Sequence, residues 1–182
     1  MMDYHVIDNY LPQQSFIRLR DCILKEDALP IYVRPYTTTD FNGNWYPPLN
    51  TLTTSGRIKD GVYFTHAFKD FNNPKFSAWV SLLDPFLSVL SPNRIIRMQF
   101  NLYHRTFFLH KHKFHIDDPT PHKGCILSLN TNNGRTILKN FPLNIGIKSI
   151  ENRALFFDPS KPHKGTTCTD SDYRANIIVN YE

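Results

Sequence analysis

His115 and Asp117 stand two residues apart in FHIDD, inside a run, LHKHKFHIDDPTPHKG (109–124), that also holds His110, His112 and His122. In an extended chain, residues i and i+2 project from the same face. An imidazole nitrogen and a carboxylate oxygen would then lie side by side, two of the ligands a divalent metal needs. His163, in FFDPSKPHKGTTCTDSDYR, is the candidate third. It follows the apolar run RALFFD and a proline-containing turn, where the chain re-enters a sheet. Two histidines and one carboxylate leave coordination positions open, which suits redox chemistry at a ferrous ion. His-x-Asp alone is common by chance, so the rest of the chain must carry the argument.

The last strand-like run, YRANIIVNY (173–181), adds a second kind of group. Alternation places Arg174, Asn176, Ile178 and Asn180 on one face, and Tyr173, Ala175, Ile177 and Val179 on the other. An arginine facing into a small roll needs an anion, because an unpaired buried charge is costly. Its planar fork matches a carboxylate. The same alternation turns Asp118 away from the metal face. His110 and His112, five and three residues before His115, fall on the opposite face and read as exposed polar residues or part of a substrate rim. His122 reads as a solvated loop residue or one at the mouth of the site, and His66 and His104 as structural residues.

These residues need a frame. LPQQSFIRLRDCILKE (11–26) has Phe16, Leu19 and Ile23 at helical spacing. KFSAWVSLLDPFLSVLS (75–91) is the second predicted helix, with Pro85 kinking or interrupting it. RPYTTTDFNGNWYPPLNTLTTSGRIKDG (34–61) reads as a long loop carrying Tyr36, Phe41, Trp45 and Tyr46. From residue 94 short strand-like runs follow one another: RIIRMQFNLYHRT, HKFHID, GCILSLN, RTIL, IGIKSI, RALFFD and YRANIIVNY. Turn signals separate them, and no helical pattern intervenes. The fold class is therefore mainly β with N-terminal helices, an antiparallel sandwich or barrel. We expect one domain over 1–182, with a helical, loop-rich 1–93 packed on a β-roll core, 94–182, that carries the site.

Composition narrows the classes. No apolar run approaches the roughly 20 residues of a membrane span. The start, MMDYHVIDNYLPQQ, lacks the features of a signal peptide, and Cys22, Cys125 and Cys168 suggest no disulfide framework. The expected location is the cytoplasm, of a bacterium or of an infected host cell. A net charge of +5 permits nucleic acid or an anionic small molecule as partner. The cations are scattered, so it demands neither.

Taken together, His115-x-Asp117, His163 and Arg174 resemble the Fe(II)/2-oxoglutarate-dependent oxygenases. The likeness is to the prolyl-4-hydroxylase-like group, and within it to the small members carried by marine phages. It spans roughly residues 60–181. NLYHRT before the His-x-Asp run, CILSLNTNNGRTIL, and ENRALFFDPSKPHKGTTCTDSDYRANIIVNY carry it, with GVYFTHAF and SPNRIIRMQFNLY in support. The resemblance implies a double-stranded β-helix of the jelly-roll or cupin-like kind, with iron at its open end. It implies His115, Asp117 and His163 as metal ligands, and Arg174 paired with the distal carboxylate of 2-oxoglutarate. It implies Tyr103 as a hydroxyl donor to that co-substrate. Many relatives carry serine where Asn176 stands, so Asn176 is a weaker candidate for the same contact. The implied activity is hydroxylation of a C–H bond with release of succinate and carbon dioxide. Dioxygen is the second co-substrate and ascorbate a supporting reductant. Peptidyl proline or another protein residue is the expected substrate, with a nucleobase or a free amino acid as alternatives. A non-catalytic β-roll binding or structural module is the reading from another class.

Overall fold

A computed structural model describes residues 3–25, 29–34, 63–71 and 75–182. The expected loop over 34–61 therefore lies almost wholly outside the described residues, together with its four aromatic side chains. Ten strands and two helices are described: β1 (Tyr4–Ile7), α1 (Gln13–Leu24), β2 (Tyr32–Arg34), β3 (Tyr63–Lys69), α2 (Asp84–Leu90), β4 (Ile95–His104), β5 (Lys123–Ser128), β6 (Arg135–Leu138), β7 (Ile145–Lys148), β8 (Ala154–Phe157), β9 (His163–Gly165) and β10 (Tyr173–Tyr181).

Two antiparallel sheets result. The large one runs β1-β8-β5-β10-β4-β3-β2, and the small one β7-β6-β9. Alternation along β10 shows how the layers stack. Ala175, Ile177, Val179 and Tyr181 pack with Phe16, Leu19 and Ile23 of α1 and with Phe86 of α2 in one buried core. Ile178, from the other face, joins Ile126, Leu138, Ile147, Leu155 and Phe157 in a second core between the sheets. Helices cover the outer face of the large sheet, and the small sheet covers its inner face. This mainly β arrangement is consistent with a jelly-roll core.

The elements depart from the sequence expectations in three places. The second helix is shorter than 75–91: a 3-10 turn covers Val80–Leu83, and Pro85 sits in the first turn of α2. Proline fits there because first-turn N–H groups have no partner within the helix. Three strands before residue 94 join the large sheet, β1 at one edge and β2 and β3 at the other. HKFHID, expected as a strand, makes only one isolated bridge, His115↔His163, with a second, Lys111↔Thr166, just before it. The N-terminal segment is fastened by Asn152, buried and at φ 56°, a left-handed conformation that asparagine tolerates better than most residues. Its side chain accepts from Leu11 N at 3.0 Å and donates to Leu11 O at 2.8 Å. No helix among the described residues is long and apolar enough to cross a membrane.

Candidate metal and anion site

The inner face of the large sheet is polar at its centre. β4 and β10 pair Tyr103 with Arg174, Asn101 with Asn176, Gln99 with Ile178 and Arg97 with Asn180. These side chains all project away from the helices. With Tyr63 of β3, Ile126 of β5, Thr136 of β6, and His163 and Gly165 of β9, most of them line one cavity. His112, His115 and Asp117 complete its wall.

The three expected ligands converge. His115, Asp117 and His163 each offer one donor atom, all within 4.8 Å of one another. Asp117 Oδ1 faces His115 Nε2 at 3.6 Å and His163 Nε2 at 3.8 Å. Backbone bonds set this geometry, as His115 and His163 exchange N–H···O bonds at 2.9 Å in both directions. Asp117 N donates to Pro159 O at 3.0 Å. The turn bearing Pro159 docks closely because residue 124 is glycine; a Cβ there would overlap the Pro159 ring. Asp117 Oδ2 accepts from Asn180 Nδ2 at 2.9 Å, which orients the carboxylate. Burial, and then the neighbouring His163, pull His115 down to about 4, so its imidazole is neutral, the form that ligates, at neutral pH. Burial pushes the Asp117 carboxyl up, but His163, Arg97, His115 and the Asn180 bond outweigh it and hold the group at about 2. Asp118 accepts from Thr120 N at 2.8 Å and takes no part in the group.

Arg174 lies in the same cavity, 2% exposed. Nε donates to Ser149 Oγ at 2.8 Å, Nη2 to Thr136 Oγ1 at 3.0 Å and Nη1 to Thr166 O at 3.3 Å. Those bonds use three of the five N–H donors of a guanidinium. Among the described residues none pairs it with a carboxylate. Its Cζ stands 5.3 Å from the ring centroid of Tyr103. Burial pushes the Tyr103 phenol up to about 12, so it is a neutral donor at neutral pH. A Cβ added at Gly165 would come within 3.2 Å of Arg174 Nη1, 3.7 Å of His112 Cδ2 and 3.8 Å of the Tyr103 hydroxyl. The missing side chain leaves a cradle between these three groups. Two other cations near His163 in sequence lie differently: Arg153 pairs with Asp8 at 2.8 Å, and Lys164 rests 4.2 Å from the Phe114 ring centroid.

His112 corrects the alternation argument. It is 2% exposed and lines the cavity with His115 instead of facing away. Lys111 pairs with Thr166, but His115 pairs with His163, so four steps on one side match three on the other. This one-residue bulge returns His112 to the face of His115. Nothing in the local sequence marks it. Among the cavity residues that the sequence reading did not single out, Arg97 and Gln99 had a signal in the chain. Arg97 and Gln99 alternate with Met98 and Phe100 and so share a face with Asn101 and Tyr103. Arg97 donates to Gln99 Oε1, Gln99 donates to Asn101 Oδ1, and Asn101 donates to Asn176 Oδ1 at 3.4 Å. Arginine can only donate, which fixes the direction of this chain. Asn176 accepts at its oxygen, so its NH2 is the end turned to other partners. His66 is structural as expected, with Pro30 O at 2.7 Å and Ser77 Oγ at 2.8 Å from its two ring nitrogens.

No family model matches the sequence, and no curated protein matches it significantly. Solved structures do share the fold. One is an oxidoreductase of the 2OG-Fe(II) oxygenase family from Burkholderia pseudomallei. It aligns at a TM-score of 0.64 and 11% identity over 98% of this chain and 84% of its own. A prolyl hydroxylase from Trichoplax adhaerens, in complex with a hypoxia inducible factor peptide fragment, aligns at 0.63 and 13% identity over 98% and 82%. A prolyl-4-hydroxylase from Pseudomonas putida aligns at 0.63 and 11% identity over 100% and 93%. At these identities the likeness is one of fold, and the case for function rests on the cavity.

Proposed function

We propose that this chain is an Fe(II)- and 2-oxoglutarate-dependent oxygenase that hydroxylates a C–H bond and releases succinate and carbon dioxide. One observation carries the reading. A single cavity holds a His-Asp-His donor set together with a buried guanidinium that has no carboxylate among the described residues. The residues fit both groups. The donors are two imidazole nitrogens and one ionised carboxylate, the set that a ferrous ion with open positions takes. The cradle at Gly165, with Arg174 Nη1 and the Tyr103 hydroxyl beside it as donors, fits the distal carboxylate of 2-oxoglutarate.

His115, Asp117 and His163 would hold the metal, and Asn180 keeps the Asp117 carboxylate turned toward it. Arg174 would bind the far carboxylate through its remaining N–H donors, assisted by the Tyr103 hydroxyl and the NH2 of Asn176. Ser149 and Thr136 fix the guanidinium in advance, so little is lost in ordering it on binding. When bound, iron supplies the activation of dioxygen, one atom entering the substrate and the other succinate as 2-oxoglutarate loses carbon dioxide. Ascorbate would serve by keeping the metal ferrous.

For substrate we place a peptidyl residue first, proline above others. The support is the shared fold with two prolyl hydroxylases, one solved with a peptide. The affinity with small phage-type members, and a cytoplasmic setting, rest on the sequence alone. The test is oxygen-dependent succinate release with Fe(II), 2-oxoglutarate and ascorbate, read together with mass spectrometry of the added substrate. Proline-containing peptides are expected to stimulate release and gain one oxygen atom. Stimulation by single-stranded DNA and by no peptide would move the substrate to a nucleobase. A protein that binds no metal would be a β-roll binding module instead.

A further inference from the structure

A substrate entering this cavity must meet its charge. Among the described lining residues Arg97, Lys164 and Arg174 are cations, and Asp117 is the one carboxylate. Three cations against one carboxylate leave an excess of two positive charges. A divalent metal and a doubly charged 2-oxoglutarate cancel each other and do not change that excess. Arg174 is then satisfied by the co-substrate, and Lys164 lays its ammonium on the ring of Phe114. Arg97 is the cation left to be matched.

Arg97 is held close to the ligand set. Its Nη1 lies 3.6 Å from Asp117 Oδ1, the same oxygen that faces both imidazoles. The other carboxylate oxygen is taken by Asn180. Once that oxygen ligates a cation its charge is shared with the metal, and Asp117 serves Arg97 less well as a counter-ion. A second anion then stabilises the guanidinium, because a partly buried charge that is poorly matched is costly. The group is also prepared to receive one. Its Nη2 donates to Gln99 Oε1, and its Cζ stands 5.4 Å from the ring centroid of Phe71. The side chain keeps 20% exposure, so it reaches both the cavity and solvent.

We propose, on the oxygenase reading above, that Arg97 binds a carboxylate of the substrate, so that this enzyme acts on anionic molecules. The reacting C–H bond then lies a few bonds from a carboxylate. Two sources offer that chemistry: a free amino acid, or a peptide with an acidic residue beside the target. A neutral side chain in a neutral peptide would leave Arg97 unmatched and is disfavoured.

The test uses matched pairs. Free amino acids are set against their carboxamides, and proline-containing peptides with Asp or Glu beside the proline against the same peptides with Asn or Gln. Oxygen-dependent succinate release ranks the pairs. Each pair is also titrated calorimetrically, without oxygen, into the Fe(II)–2-oxoglutarate complex, where binding is read without turnover. The carboxylate member should bind about tenfold tighter or more, the scale of one charge-assisted hydrogen-bonded pair. The arm that shows the preference identifies the source. Arg97→Gln should abolish the preference, and Arg97→Lys should keep part of it. Equal or better binding of the amides, a preference that survives Arg97→Gln, or no carboxylate binding in either arm would overturn the proposal. Failure of the oxygenase reading is visible separately and earlier, as no Fe(II)–2-oxoglutarate complex in the wild-type protein before any substrate is added.

Discussion

Asp117→Ala is expected to abolish tight divalent-metal binding, raising the dissociation constant by at least about a hundredfold, since losing a mere partner of a ligand typically costs 10–100-fold. Asp117 is the only anionic member of the donor set, so its loss removes charge as well as a bond. The variant also leaves Arg97, formerly 3.6 Å from the carboxylate, as an uncompensated cation facing the metal position. His163→Ala should come close to the same loss, because His163 is buried at the centre of the group. Asn180→Ala tests the arrangement from behind. It leaves all three ligands in place but frees the oxygen that Asn180 Nδ2 holds at 2.9 Å, so a loss of about 10–100-fold is expected. Calorimetry with Mn(II), which shares the octahedral preference of such sites, measures all three. A dissociation constant for Asp117→Ala within about threefold of the wild type would place the metal elsewhere.

Arg174→Ala is expected to weaken 2-oxoglutarate binding by about thirtyfold or more, because removing one partner of a buried charge pair costs about 2–5 kcal/mol. The side chain is 2% exposed, so water cannot replace it. Removal also strands Ser149 Oγ and Thr136 Oγ1, which it now bonds, and some stability will be lost with them. Two controls separate that effect from the loss of the anion. Arg174→Lys keeps a charge but not the fork, so it should recover only part of the affinity. Metal affinity should be nearly unchanged in both variants, because Arg174 is no ligand. Titration of the Fe(II) complex with 2-oxoglutarate reads the result. A constant for Arg174→Ala within about threefold of the wild type would mean that another residue holds the anion.

Much of this cavity could be read from the chain, and the reasons are local. Alternation alone put Arg174, Asn176, Ile178 and Asn180 on one face, and β10 is regular enough for the rule to hold from end to end of that set. The polar face of β4 obeys the same rule, so Arg97 and Gln99 were legible, though not read. His112 was not legible. Its place depends on a bulge created by pairing between residues about 50 apart, and alternation fails where the register shifts. The edge strands β1 and β2 were missed for a related reason. Each is short, three or four residues, and their pairing with β8 and β3 is a tertiary event. The role of Asn180 was also hidden. Its place on the inner face was clear, but its bond to Asp117 joins residues 63 apart in the chain, and Asp117 itself is anchored by a backbone bond to Pro159 of another segment.

On the oxygenase reading one cavity takes both a ferrous ion and 2-oxoglutarate, and an anaerobic spectroscopic titration reads both together. Fe(II) is added to the wild-type protein, followed by 2-oxoglutarate, and the visible spectrum is recorded. The expected result is a weak charge-transfer band that saturates at one 2-oxoglutarate per chain, is lost in Asp117→Ala, and needs far more 2-oxoglutarate in Arg174→Ala. A wild-type protein that shows no band at saturating Fe(II) and 2-oxoglutarate would contradict it.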